Sequence, residues 1–129
     1  VGESRAYLIT PQNGIEQITR DHSLVARLIE LEQLTPEEAA EHEQRNVLYR
    51  AVGQAEELEV DYFPRRLPSN APLLICSDGL WGMVTEDDIL EVVRNTPDPQ
   101  EACEKLTALA NTKGGTDNIS VILLKMPAN

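Results

Sequence analysis

The 129-residue sequence is poor in cysteine and in basic residues. Its two cysteines, Cys76 and Cys103, form no Cys-x-x-Cys pair and occupy positions where small apolar residues are expected. We therefore interpret both as reduced core residues and expect no zinc site. The 11 lysines and arginines are outnumbered by 22 acidic residues, which gives a net charge of −11. Such a charge disfavours binding to nucleic acid or to an anionic membrane, and it attracts cations.

Long apolar runs are also missing. Runs such as 121–124 are far too short to cross a bilayer, and no charged and then apolar leader opens the chain. We therefore expect a soluble, cytoplasmic protein, and the length suits one domain covering residues 1–129. Residues 1–9 already have the pattern of a strand without a preceding turn or cap, so we expect the chain to be the C-terminal portion of a longer protein.

The order of the predicted elements favours an α+β fold. Asn13-Gly14 between two apolar stretches predicts a β-hairpin. Helix N-caps are predicted at Asp21 or Ser23, at Thr35, at Thr85 and at Asp98. Strands are predicted at 47–52, 58–63, 72–76 and 119–125, and the last two read as buried on both faces. This order lacks the regular strand-helix alternation of a doubly wound sheet, so a layered α+β architecture is the better interpretation.

The most informative stretch is Ser77-Asp78-Gly79, which follows the apolar run at 72–76. A carboxylate held at the end of a buried strand by a tight glycine turn suits a hard divalent cation, although Asp-Gly is also a common turn dipeptide. Asp117 precedes the other apolar strand. If the two strands are neighbours, carboxylates about 5 Å apart repel by roughly 3 kcal/mol at an effective dielectric of 20, unless a cation lies between them. Without a His or Cys cluster, Mg²⁺ or Mn²⁺ is favoured over Zn²⁺.

Several other residues have ordinary structural interpretations. His22 and His42 are predicted to lie at the surface or to cap helices. Trp81 is predicted to pack under the turn that holds Asp78 rather than to line a groove. For Arg5, an outward position on a strand is favoured over a phosphate contact.

Five motifs occur in order along almost the whole chain. They are Val1-Gly2-Glu3-Ser4-Arg5, Thr19-Arg20-Asp21-His22-Ser23, Arg45-Asn46-Val47-Leu48 with Arg50-Ala51-Val52-Gly53, Cys76-Ser77-Asp78-Gly79-Leu80-Trp81, and Gly114-Gly115-Thr116-Asp117-Asn118-Ile119-Ser120-Val121. In this order and spacing they resemble the C-terminal motifs of the metal-dependent (PPM, type 2C) protein serine/threonine phosphatases, particularly bacterial ones.

The resemblance implies a fold and a metal site. The fold would be part of a four-layer αββα sandwich, in which two packed β-sheets are flanked by helices. Asp78 and Asp117 would bind the same metal ion, in a complete domain that holds two or three Mn²⁺ or Mg²⁺ ions. A third ion in bacterial members uses an aspartate at the position of Glu3, and the longer glutamate either reaches it from a displaced backbone or does not reach it. Segment 21–46 resembles the family's flap.

The resemblance also implies hydrolysis of phosphoserine and phosphothreonine in proteins, as a step in signalling. The partner would be a phosphorylated protein, such as a kinase-regulated target, with no nucleic acid or membrane, and the protein would be a monomer. The family's upstream metal-binding motif is not in this sequence, so we expect the 129 residues alone to be inactive or weakly active. The alternative is a non-catalytic phosphatase-like binding or regulatory module. A receiver-type domain with Asp78 as phosphoacceptor disagrees with the predicted element order.

Overall fold

The structure, a computed structural model, describes residues 2–127. Within these residues it contains four strands and five helices. In chain order they are β1 (Arg5–Thr10), β2 (Gly14–Gln17), α1 (Leu24–Glu30), α2 (Pro36–Ala40), β3 (Pro72–Cys76), α3 (Asp78–Trp81), α4 (Glu86–Asn95), α5 (Pro99–Thr112) and β4 (Val121–Lys125). The mixture of helices with an antiparallel sheet confirms the predicted α+β class.

The described residues divide into two compact units. The first consists of residues 2–3 together with Arg20–Tyr62, and it contains α1 and α2. The second consists of Ser4–Thr19 together with residues 63–127, and it contains the sheet and the other three helices. The flap-like segment predicted at 21–46 lies within the first unit. That the whole chain forms a single domain stays a prediction.

The sheet of the second unit is antiparallel throughout, in the order β2-β1-β3-β4. The predicted hairpin is confirmed, and Gly14 at its turn has a φ of +68°. In the centre of the sheet, Tyr7, Leu74 and Leu123 stand in register on three adjacent strands. Directly opposed residues share a face, so these three side chains lie on the same side of the sheet.

One face of this sheet carries the core of the second unit. Helix α5 packs against β4, while α4 packs against β2 and α5. The largest fully buried side chains of this unit are Tyr7, Leu74, Leu80, Val84, Ile89 and Leu106. On the opposite face, Ile75, Ile122 and Leu124 are exposed. The prediction that both faces of β3 and β4 are buried is therefore correct for one face only, because both long helices pack on the same side.

The local helix signals are confirmed. Ser23, Thr85 and Asp98 each accept a hydrogen bond from a backbone N–H in the first turn of the helix that follows. Thr35 and Glu38 form the predicted reciprocal capping box at α2. Each of these bonds satisfies a backbone donor that lacks a partner within its helix. These helix starts follow from neighbouring residues in the sequence.

The strands predicted at 47–52 and 58–63 are wrong. In the described chain, 47–52 forms only an isolated bridge between Ser23 and Leu48, and 58–63 has no regular structure. The alternating pattern at 58–63 is present in the sequence, but Val60 and Tyr62 are largely exposed. A strand requires a hydrogen-bonding neighbour, and strand propensity does not supply one.

The prediction that His22 lies at the surface or caps a helix is also wrong, since the residue is 1 % exposed and the N-cap of α1 is Ser23. Its Nε2 lies 2.7 Å from Oδ2 of Asp61, and Nη1 of Arg50 donates to Oδ1 of the same carboxylate at 2.7 Å. The backbone N–H of Tyr49 donates to the carbonyl of His22. In the first unit, a polar cluster of His22, Arg50 and Asp61 thus joins three segments that are distant in sequence.

We expect this cluster to make the stability of the chain sensitive to acid. Hydrogen bonds from Arg50 and then from His22 hold the pKa of Asp61 below its ordinary value of 3.8. A lowered folded-state pKa adds stability that is present above the unfolded-state pKa and is lost as the pH falls through the folded-state pKa. We expect Asp61→Asn to lower the free energy of unfolding near neutral pH and to flatten its decline below about pH 4. Urea denaturation across pH measures both effects.

Asp87→Asn is the matched control, because Asp87 is exposed and forms no ion pair among the described residues. If both substitutions gave the same pH profile, Asp61 would not carry the acid sensitivity.

No helix in the described part of the chain is both long and apolar enough to cross a membrane.

Candidate metal site at the ends of strands β3 and β4

The two loops that carry Asp78 and Asp117 are neighbours, because β3 and β4 pair with Cys76 opposite Val121. Beyond this pair, the backbone N–H of Ser77 donates to the carbonyl of Ser120 at 3.0 Å. The N–H of Ser120 donates to the Ser77 hydroxyl, also at 3.0 Å. The sequence predicted that Asp78 and Asp117 come close together if their strands are neighbours, and β3 and β4 are neighbours.

Gly79 brings the two loops into direct contact. A Cβ added at Gly79 would lie 2.0 Å from the carbonyl oxygen of Asn118 and 2.8 Å from its carbonyl carbon. Real Cβ atoms essentially never approach so closely. The backbone after Asp78 thus lies against the backbone after Asp117, at a distance that only glycine allows.

The local structure at Asp78 differs from the predicted tight turn. Asp78 begins α3, a single helical turn in which the N–H of Gly82 donates to the carbonyl of Asp78 at 2.8 Å. Gly79 does not have the positive φ of a glycine turn. Glycine is required at this position because of tertiary crowding, which its neighbours in sequence could not reveal.

The chemistry of the two aspartates fits a hard cation in part. Asp78 is half-buried, and Asp117 is exposed with its Oδ1 accepting from the N–H of Asn118 at 2.7 Å. Carboxylate oxygens are the ligands that Mg²⁺ and Mn²⁺ prefer. Among residues 2–127, however, no group of three or more His, Cys, Asp or Glu side chains is placed to hold a metal ion. The two aspartates can therefore supply only part of a ligand set.

Glu3 belongs to the first unit, while Asp78 and Asp117 belong to the second. Glu3 is half-buried and takes part in a polar or electrostatic interaction. Binding of a third metal ion by Glu3 therefore stays a prediction.

Arg5 packs against α3, a contact that the sequence did not indicate. The guanidinium of Arg5 lies 3.5 Å above the centroid of the Trp81 ring, and its Nη1 donates to the Tyr7 hydroxyl at 2.9 Å. Trp81 packs against the hydrophobic core, as a structural role requires, but it belongs to α3 itself rather than lying under a turn that holds Asp78. The outward position expected for Arg5 is wrong, because its side chain covers Trp81. The distance along the sequence between Arg5 and Trp81 gave no signal for this contact.

The acidic residues at the start of α4 do not belong to this site. Lys113 lies 2.6 Å from the Asp88 carboxylate, and this hydrogen bond lowers the pKa of Asp88. The N–H of Asp88 donates to Thr85, as the cap requires. Negative charge in a first helical turn also complements the helix dipole.

Cys76 is buried, Cys103 is half-buried, and neither forms a disulfide.

An antiparallel sheet with its long helices on one face, and with Asp78 and Asp117 in neighbouring segments at one edge, is compatible with half of the two-sheet sandwich that the sequence resemblance implied. Comparison with known proteins agrees with it. The family profile described as Protein phosphatase 2C matches residues 65–119. Protein phosphatase PhpP of Streptococcus pneumoniae is 40% identical over 126 residues, which cover 98% of this chain and 51% of that protein.

Solved structures give the same result. The serine/threonine phosphatase Stp1 from Staphylococcus aureus superimposes with a TM-score of 0.92 at 37% identity, over 99% of this chain and 50% of that one. The catalytic domain of the phosphatase PstP, in complex with 2 manganese ions, gives a TM-score of 0.82 at 32% identity. The chain is thus similar in sequence to bacterial serine/threonine phosphatases and shares the fold of the matching half of their chains. It spans about half the length of the relatives it matches.

Proposed function

We propose that this chain forms part of the catalytic domain of a metal-dependent protein serine/threonine phosphatase, in which Asp78 and Asp117 bind the same divalent ion. The contact between Gly79 and Asn118 carries the proposal, since it holds the residues after the two aspartates against each other. Support also comes from relatives that are named serine/threonine phosphatases, and from one structure with manganese. The proposed cofactor is Mn²⁺ or Mg²⁺, with two or three ions in the complete domain.

When bound, such ions acidify a water molecule and neutralise charge on the phosphoryl oxygens. The contribution of this chain is to hold two oxygen donors in place. The position of Asp78 is set by α3, while the carboxylate of Asp117 is held by the N–H of Asn118. Two hydrogen bonds between Ser77 and Ser120, one between backbone groups and one accepted by the Ser77 hydroxyl, keep the two loops together.

The substrate we propose is phosphoserine or phosphothreonine in a protein, including targets of a protein kinase. Under this proposal the protein is a monomer that acts in cytoplasmic signalling. The flap-like segment 21–46 would contribute to substrate choice, and Glu3 would be the ligand of a third metal ion.

A second candidate function is a non-catalytic phosphatase-like module that binds or regulates a partner. The incomplete ligand set favours it, since no metal-binding group of three acidic, His or Cys side chains occurs in the described chain. For the same reason, we expect the 129 residues alone to bind metal weakly and to hydrolyse little or no substrate.

A chimaera tests catalysis. This chain would replace the matching half of S. aureus Stp1, because 99% of this chain superimposes on that half. We expect the chimaera to hydrolyse a phosphothreonine peptide in the presence of Mn²⁺. Asp78→Asn should lower kcat/KM by at least about 100-fold, because a metal ligand is lost. Asp87→Asn, on the exposed start of α4, should leave the rate unchanged.

A folded chimaera without Mn²⁺-dependent hydrolysis would favour the non-catalytic module. Robust turnover by the 129-residue chain alone, abolished by Asp78→Asn, would show instead that the chain carries a sufficient ligand set.

A further inference from the structure

The side chain of Arg5 contacts both Trp81 and Tyr7. Its guanidinium lies 3.5 Å above the ring of Trp81, and its Nη1 donates to the hydroxyl of Tyr7 at 2.9 Å. Tyr7 is completely buried, and burial raises the pKa of Tyr7 to about 12, so the hydroxyl remains protonated. The buried Tyr7 thus anchors the Arg5 side chain over Trp81. A cation stacked on a tryptophan face is attracted by the negative charge of the ring face.

Trp81 is the last residue of α3, and Asp78 is the first. A helix of four residues is too short to be stable on its own, and Ser77 provides no side-chain cap for it. The position of α3 therefore depends on its tertiary contacts. These contacts include the packing of α3 against α5, the burial of Leu80, the approach of Gly79 to Asn118 and the stack of Arg5 on Trp81.

The sheet register explains why Arg5 is suited to this task. Arg5 pairs with Cys76, which lies two residues before Asp78 on the adjacent strand. Arg5 thus joins two elements next to Asp78. Its backbone pairs with the end of β3, and its side chain stacks on Trp81 of α3. Any tilt of α3 that moved Asp78 away from the Asp117 loop would also disturb the stack.

The geometry points to Arg5 as a positioning residue: through its stack on Trp81, it holds Asp78 in place for metal binding without itself contacting metal or substrate. This inference rests on the metal site of the proposed function. It makes a prediction of definite sign. If Arg5 acted only through its charge, its removal would strengthen binding of a cation nearby. If Arg5 instead acts as a clamp, meaning that its stack on Trp81 holds α3 and Asp78 in place, its removal weakens the binding of that cation.

Titration of the ¹⁵N-labelled 129-residue chain with Mn²⁺ tests the inference. Bound Mn²⁺ broadens the amide signals of nearby residues even at low occupancy, so weak binding is measurable. We expect selective broadening at residues 78–80 and 117–118 in the wild type. Arg5→Gln and Trp81→Leu should each raise the Mn²⁺ concentration for half-maximal broadening by about threefold to tenfold. Arg5→Lys keeps the charge but loses the planar stack, and should show an intermediate increase.

Two further variants complete the design. Combining Arg5→Gln with Trp81→Leu should add little to either single change, because both remove the same contact. Leu109→Ala, on the partly buried side of α5, controls for general loss of stability and should leave the Mn²⁺ midpoint unchanged.

The possible failures are distinguishable. A wild-type chain without selective broadening would overturn the metal site and the clamp together. Normal wild-type binding with an unchanged or lower Mn²⁺ midpoint in Arg5→Gln would overturn the clamp alone. An equal increase in Leu109→Ala would also overturn it, since general destabilisation would then explain the effect.

Discussion

Replacing Gly79 with alanine should destabilise the chain by about 3 kcal/mol, the upper part of the range for overpacked sites. The added methyl carbon would lie 2.0 Å from the carbonyl oxygen of Asn118, which is a backbone atom and cannot rotate away. One loop must therefore move, and the hydrogen bonds between Ser77 and Ser120 oppose this movement. Urea denaturation followed by circular dichroism measures the loss.

Gly53→Ala is the matched control. A Cβ at Gly53 has nothing within 4 Å, and the only cost is the backbone strain of an alanine at a φ of +85°. That strain is worth about 1 kcal/mol. If Gly79→Ala cost no more than Gly53→Ala, the close approach of the two loops would be contradicted. A Gly79→Ala chain that kept its stability by separating the loops should lose Mn²⁺ broadening at Asp117.

The second large effect concerns Leu74 in the central strand β3. Leu74 is fully buried, in register between Tyr7 and Leu123. Leu74→Ala should lower the free energy of unfolding by about 3 kcal/mol, because buried methyl groups are lost and a cavity remains. The measurement is the urea midpoint together with the slope of the transition, which should not change.

Ile122→Ala is the comparison for this prediction. Ile122 is 56 % exposed on the other face of the sheet, so its truncation should cost no more than about 1 kcal/mol. Equal losses at Leu74 and Ile122 would mean that both faces of the sheet are buried in the isolated chain. The pair thus tests which face of the sheet carries the core.

Much of the local structure could be predicted from neighbouring residues. Thr35 with Glu38, and Asp98 with Pro99, are signals that act within one helical turn, so the helices begin where these signals occur. Asn13-Gly14 specified the hairpin in the same way. Predictions failed where a distant partner decides the outcome. The segment 58–63 has the pattern of a strand but no neighbour to pair with among the described residues. His22 is buried beside Asp61 and Arg50, which are 39 and 28 residues away in the sequence.

The sequence by itself determined the family resemblance, the helix starts, and the choice of Asp78 and Asp117 as candidate ligands of a hard cation. Only the tertiary structure decided that their loops are adjacent, through the pairing of β3 with β4. It also decided why residue 79 is glycine and what Arg5 contacts. The physical reason is that steric crowding and ring stacking depend on atoms far apart in the chain, while capping and turn formation depend on the next few residues.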